Sequence, residues 1–414
     1  PNNSAAYLEH SVNSNRIYLD YAATTPVRTE VADAMREAAG QCDFNPSSLH
    51  FEGRRARAAL DAARDCVAAA VGATRAEILF TSGGTEANNL ALLGATRGLA
   101  RPARVVASAI EHRAVLAALD RLGEDGFETS LLPVDRQGRV DPAEFERALQ
   151  PQTVLASIMY ANNEVGTVEP IAELARIARR RGVLFHTDAV AAPSWLPIDV
   201  RALDVDLLSI SAHKFYGPKG VGLLYVRRGV PLSPIVVGGG QESGRRSGTE
   251  NVLGIVGMAR ALELAVAECT RAAGDVAAQR DRLEAGIRSR VAGVAVNGGD
   301  APRLANCSNL SFAGVDPSAL IIALDLAGVS ASAGSACTSG TLEPSHVLAA
   351  MAPDGPASGV RFSLGKATTP VEIERVLAIL PAVVADLRAL SSPVTIAGGM
   401  GRLETNRARL EAGA

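Results

Sequence analysis

The 414-residue chain contains no run of about 18 apolar residues, so no membrane-spanning helix is expected. It also lacks a basic excess: 41 Lys and Arg stand against 44 Asp and Glu, a formal net charge of -3. Without a positive footprint, nucleic acid is not an expected partner. Cysteine is sparse. Cys42, Cys66, Cys269, Cys307 and Cys337 are widely spaced, odd in number and form no CxxC. That pattern argues against a disulfide framework and against a metal site, and any cysteine that matters should act singly. Residues 1–15 are polar and lack the charged-then-apolar order of a signal peptide, so a reducing cytoplasm is the expected location. There is no internal repeat and no low-complexity tract.

What is present is an ordinary globular composition, 47% hydrophobic and 21% charged with 39 Gly. The length suggests about two or three domains. Apolar runs predict strands at 77–80, 104–108, 129–133, 154–159 and 183–186, with helical spacing between them. Strands alternating with helices imply a largely parallel sheet covered on both faces. In such sheets, ligands sit beyond the carboxyl ends of the strands. The polar groups His112, Asn163, Asp188 and Lys214 all follow predicted strands, as do Gly84 and Thr85. Two helices, 251–273 and 276–291, are predicted further on, with a domain boundary between them near Arg271. A smaller α/β unit follows, and Ile17 to Ala22 reads as a short strand near the start.

The stretch Ser209-Ile210-Ser211-Ala212-His213-Lys214-Phe215-Tyr216-Gly217-Pro218 reads as strand running into loop. A loop lysine is ordinarily a surface group. A lysine in a dry pocket instead has a lowered pKa and is a usable amine for Schiff-base chemistry. Asp188 could be a turn residue or the partner of a pyridinium nitrogen. His112 could be structural or could stack on a ring and move protons. Gly84 and Thr85 open a helix whose N–H groups suit a phosphate, and Ser211 and His213 could help hold it. Taken jointly, these are the parts of a pyridoxal 5′-phosphate enzyme.

Ten stretches in order carry a resemblance over nearly the whole chain. Among them are Tyr18-Leu19-Asp20-Tyr21-Ala22-Ala23-Thr24-Thr25, Phe80-Thr81-Ser82-Gly83-Gly84-Thr85-Glu86, Ser211-Ala212-His213-Lys214, Arg245-Arg246-Ser247-Gly248-Thr249 and Ser335-Ala336-Cys337-Thr338-Ser339. The sequence resembles the cysteine desulfurases of the NifS/IscS type, in the class V aminotransferase group of fold type I. The resemblance implies a large domain, residues 25–271, with a mainly parallel seven-stranded sheet. A smaller C-terminal α/β domain, 272–390, would carry the cysteine loop. Residues 1–24 would pack with that small domain, and 391–414 would form a tail.

The resemblance also implies roles. Lys214 is the Schiff-base lysine, and His112 assists it. Gly84, Thr85, Asn163, Asp188, Ser211 and His213 hold pyridoxal 5′-phosphate. Thr249 reaches the phosphate of the neighbouring subunit, so a homodimer is implied. Arg361, with Asn163, binds the substrate carboxylate, and a planar bidentate guanidinium suits that task. Cys337 takes sulfur from L-cysteine, leaves alanine and passes a persulfide to an acceptor protein. Its Gly/Ser/Thr surroundings are those of a loop that can move, and a thiol near positive groups can ionise.

One position departs from the family. Where a glutamine usually donates to the cofactor's phenolic oxygen, this chain has Ala191. The loss of one neutral donor, worth about 1 kcal/mol, predicts a shifted titration of the cofactor imine. Other readings remain open at this point. One is a selenocysteine lyase or a C–S lyase without persulfide relay. Another is a non-catalytic, cofactor-binding scaffold. The acceptor is equally open: iron–sulfur cluster assembly, nitrogenase maturation, tRNA thiolation and a sulfur-containing natural product are all compatible.

Overall fold

A computed structural model describes residues 16–333, 344–353 and 358–391. β1 (Ile17–Tyr18), α1 (Thr29–Cys42) and α2 (Phe51–Ala70) come first. The strands β2 (Ile78–Thr81), β3 (Arg104–Ser108), β4 (Glu128–Leu132), β5 (Thr153–Ser157), β6 (Leu184–Asp188), β7 (Leu207–Ser211) and β8 (Gly222–Val226) form one seven-stranded sheet. Between them run α3 (Gly84–Asn89), α4 (Arg113–Glu124), α5 (Pro142–Ala148), α6 (Ile171–Arg180) and α7 (Val200–Leu203). The strand order is β2-β8-β7-β6-β5-β3-β4. All neighbours are parallel except β8, which is antiparallel to both β2 and β7. Two reversals cancel, so β2 ends on the same edge of the sheet as β7.

Burial explains the uninterrupted apolar runs. β2, β7 and β8 are buried along their whole length, as expected of strands covered on both faces. α6 shows the complementary pattern. Ile171, Leu174, Ala175 and Ala178 fall on one face and are buried, while its arginines are exposed. Asp141 caps α5, accepting from the N–H groups of Ala143 and Glu144 at 2.7 and 3.0 Å.

After the sheet come α8 (Val252–Arg290), β9 (Val294–Val296), β10 (Cys307–Phe312), α9 (Pro317–Leu326), β11 (Val329–Ser330), β12 (Ser332–Ala333), α10 (His346–Met351), β13 (Val360–Ser363) and α11 (Pro370–Ser391). β12, β13, β10 and β9 make a four-stranded antiparallel sheet, and β1 pairs in parallel with β11.

Two expectations are corrected. The two helices expected at 251–273 and 276–291 are a single one, α8, of 39 residues. Gly274 lies inside it with open space around its Cα. A glycine there costs about 1 kcal/mol against alanine, which packing at both ends of the helix overrides. Ile255 to Ala265 join the core under the seven-stranded sheet, and Ala272 to Ile287 join the core of the C-terminal unit. The second correction concerns the strand expected over Ile17 to Ala22. It pairs as strand only at Ile17–Tyr18, and Asp20 then bridges to Ser363. This segment switches partners from β11 to β13, and no single ladder spans it.

Candidate active site

The parallel strands bring the predicted residues to one edge. Asp188 ends β6, Ser211 ends β7, and His213 and Lys214 lie in the 3-10 turn that follows. His112 is the N-cap of α4 after β3, and Asn163 follows β5. A cavity of about 330 Å³ opens there. Gly84, Thr85, His112, Asn163, Asp188, Ser211, His213, Lys214 and Arg361 all line it.

Each polar group is held in a definite way. Asp188 is buried. Its Oδ2 accepts from Asn88 Nδ2 at 2.6 Å and its Oδ1 from the Val190 N–H at 2.9 Å. Two residues earlier on β6, the buried His186 bridges to Ser157 and Ser209 on the flanking strands at 2.8 and 3.0 Å. Burial pushes the His186 imidazole down to about 3, so it stays neutral and ties β5, β6 and β7 together. His112 Nδ1 accepts from the Ala114 N–H at 3.1 Å, which places a neutral ring's proton on Nε2. His213 lies 3.1 Å from the Thr24 hydroxyl. Burial, then the neighbouring Lys214 and Lys219, push its imidazole down to about 4. Lys214 Nζ donates to the carbonyls of Ala22 and Ala23 at 2.6 and 2.9 Å.

Arg361 comes from the other sheet. It sits on β13 opposite Asn309 and Ser332, almost wholly buried. One Nη donates to the Asn163 carbonyl and the other to Asp20 Oδ1, each at 2.9 Å. Thr249 is exposed and does not line this cavity. Its loop is fixed to the start of α3, where Arg246 pairs with Glu86 at 2.7 Å. Cys337 lies outside the described residues. Cys307, by contrast, is fully buried under Glu164, and burial pushes its thiol up to about 11, which makes it a packing residue.

The residues present fit pyridoxal 5′-phosphate. An amine, a fixed carboxylate, an imidazole ring and the hydroxyls of Thr85 and Ser211 surround one space. A Cβ added at Gly84 would come within 2.7 Å of Val190 Cγ2, so only bare backbone leaves the cradle open. The buried Asn88 Oδ1 has no protein partner, and Asn88 lines the same cavity. Ala191 also lines it and brings no donor. Sequence reasoning missed Asn88 and Asp20. The only signal for Asn88 was its place one turn beyond Gly84 on α3.

Glu111, next to His112, is fully buried. Its Oε1 accepts from Ser108 Oγ at 2.6 Å and from the Met159 N–H at 2.8 Å, and Oε2 has no partner. Desolvation pushes its carboxyl up to about 8, against those two hydrogen bonds. A folded-state value above the unfolded value of about 4.3 means that the folded chain binds the extra proton. Stability therefore falls as pH rises from about 4.3 toward 8. Glu111→Gln keeps the Oε1 acceptor and cannot ionise. Thermal melts at pH 5 and pH 8 should show a smaller loss of Tm for the variant than for the wild type. An identical loss would mean that Glu111 does not ionise in this interval.

The aminotransferase class-V family profile matches residues 17–376. "Cysteine desulfurase IscS" of Dictyoglomus turgidum is 48% identical over 378 residues, covering 91% of this chain and 96% of that protein. A solved "NIFS-like protein" superposes with a TM-score of 0.84 at 37% identity, covering 90% of this chain and 100% of the other. The structure of SspA in complex with cysteine gives 0.74 at 35% identity, covering 85% and 100%. Profile, sequence relatives and fold agree on one placement: the chain belongs to the class-V aminotransferase family, among its cysteine desulfurases.

Proposed function

We propose that the chain binds pyridoxal 5′-phosphate and uses it to move sulfur from L-cysteine to Cys337, releasing L-alanine. The observation that carries this reading is the convergence of Lys214, Asp188, His112 and the buried Arg361 on one cavity at the carboxyl ends of the sheet. The resemblance to SspA in complex with cysteine supports the choice of substrate.

When bound, the cofactor supplies an aldehyde for an amine and an electron sink for bonds at the substrate's α-carbon. Asp188, oriented by Asn88 and Val190, would pair with the ring nitrogen. Gly84, Thr85, Ser211 and His213 would hold the phosphate, with the α3 N–H groups adding their dipole. Lys214 offers Nζ as the amine and as a proton carrier. His112 exchanges a proton at Nε2, because Nδ1 is committed to Ala114. Arg361, with Asn163, grips the substrate carboxylate. The thiol of Cys337 then takes the substrate's sulfur. The carbon–sulfur bond breaks, a sulfur–sulfur bond forms, and the carbon is reduced as the two sulfurs are oxidised. L-cysteine plus one thiol gives L-alanine plus one persulfide, with nothing left over.

The active unit is a homodimer in which Thr249, exposed on its own subunit, reaches the phosphate of the neighbouring copy. The persulfide passes to an acceptor protein in the cytoplasm, for iron–sulfur cluster or other sulfur-cofactor synthesis. No helix among the described residues is long and apolar enough to cross a membrane.

The test is product analysis. Purified protein given L-cysteine and dithiothreitol should yield alanine and sulfide in equal amounts. Pyruvate and ammonia in place of alanine would replace this reading with a C–S lyase.

A further inference from the structure

Arg361 is almost wholly buried, and its partners leave it only partly satisfied. A guanidinium carries five N–H groups in one plane. The Asn163 carbonyl and Asp20 Oδ1 each take one, and the buried Nε has no partner. Asp20 is the carboxylate beside this cation. Its side chain is 20% exposed and that of Arg361 is 2% exposed.

The pair is built into the fold. Asp20 bridges in parallel to Ser363, two residues from Arg361 on β13. Around it, the Tyr18 hydroxyl donates to the Asp20 carbonyl at 2.9 Å, and Ala22 N–H donates to Ser363 Oγ at 2.9 Å. The next carbonyls of the segment, Ala22 and Ala23, accept from Lys214. One short strap thus touches both cations of the site, through a charged carboxylate at Arg361 and through backbone oxygens at Lys214.

We propose that Asp20 is a positioning residue that fixes the guanidinium of Arg361 and sets how strongly a substrate or product carboxylate is held there. The proposal rests on the reading of Arg361 as the carboxylate grip. Asp20 occupies one Nη, so an incoming carboxylate must use the other N–H groups. Its charge offsets that of Arg361, so the site attracts a second carboxylate less strongly than a bare buried cation would. L-alanine can then leave, since Arg361 is never without a counter-ion.

The probe is propionate, which has a carboxylate but neither amine nor thiol. Its inhibition of alanine formation and its effect on the Tm of the holoenzyme are measured for wild type, Asp20→Asn, Asp20→Glu and Arg361→Gln. Asp20→Asn keeps an oxygen for Nη and loses the charge. Propionate should inhibit it about three- to tenfold more strongly and raise its Tm more, and KM for L-cysteine should fall. Asp20→Glu should behave as wild type, and Arg361→Gln should lose the propionate effect. Asp20→Ser also removes the charge and serves if the asparagine variant does not fold. Equal inhibition of wild type and the uncharged variants, with the effect lost in Arg361→Gln, overturns the role of Asp20 and leaves that of Arg361 standing. Inhibition that survives in Arg361→Gln removes the carboxylate grip itself, and the inference with it.

Discussion

Lys214→Ala is expected to abolish alanine formation from L-cysteine, by about 10⁴-fold or more, while the protein still folds. The large effect follows from chemistry. Lys214 is the amine among the cavity's lining side chains, and the side chains left behind, a carboxylate, imidazoles, hydroxyls and a guanidinium, cannot condense with an aldehyde. The small structural effect follows from geometry. Nζ leaves behind the carbonyls of Ala22 and Ala23, which face a cavity that water can enter. Hydrogen bonds from a charged donor are worth about 1.5–3 kcal/mol, but solvated acceptors recover part of that. The measurement is alanine released per hour beside a thermal melt. Retained turnover with an intact fold would mean that the amine is supplied elsewhere, and Lys214 would revert to a structural lysine.

Cys337→Ala is expected to form no alanine from L-cysteine, with dithiothreitol present, under conditions where the wild type turns over. The argument is one of balance. Sulfur must leave the substrate as something, and formation of alanine without pyruvate requires a thiol that accepts it at the oxidation level of a persulfide. Among the other four cysteines, Cys42, Cys269 and Cys307 are buried and Cys66 is half-buried. Burial pushes all four thiols up, away from the thiolate needed for attack. None of them lines the cavity, so none can substitute. Equal alanine from wild type and variant would remove the relay through Cys337 and leave dithiothreitol itself as the thiol that accepts the sulfur.

Much of the site was legible because parallel α/β sheets place function by rule. Asn163, Asp188 and Lys214 each follow a run of apolar residues, and the sheet's direction carries all three to one edge. Polar pairings between distant segments were not legible. Asp20 and Arg361 are 341 residues apart in sequence yet 2.9 Å apart in the fold. Asn88 and Asp188 are 100 apart and meet at 2.6 Å. The continuity of α8 through Gly274 was hidden for a related reason. Local propensity weakens the helix there, and two separate cores hold its ends.

The sequence by itself determined the family and the alternation of strand and helix, and it named the candidate reacting groups, because these depend on local periodicity and on residue chemistry. Only the tertiary structure decided which partner each carboxylate of the site takes. It assigned Asp188 to Asn88 and Val190, and Asp20 to Arg361, and it left Cys307 buried and inert. The physical reason is that a charge acts through space over a few ångströms. Which groups come that close is set by how the strap, the seven-stranded sheet and β13 pack together, and no local pattern in the chain encodes it.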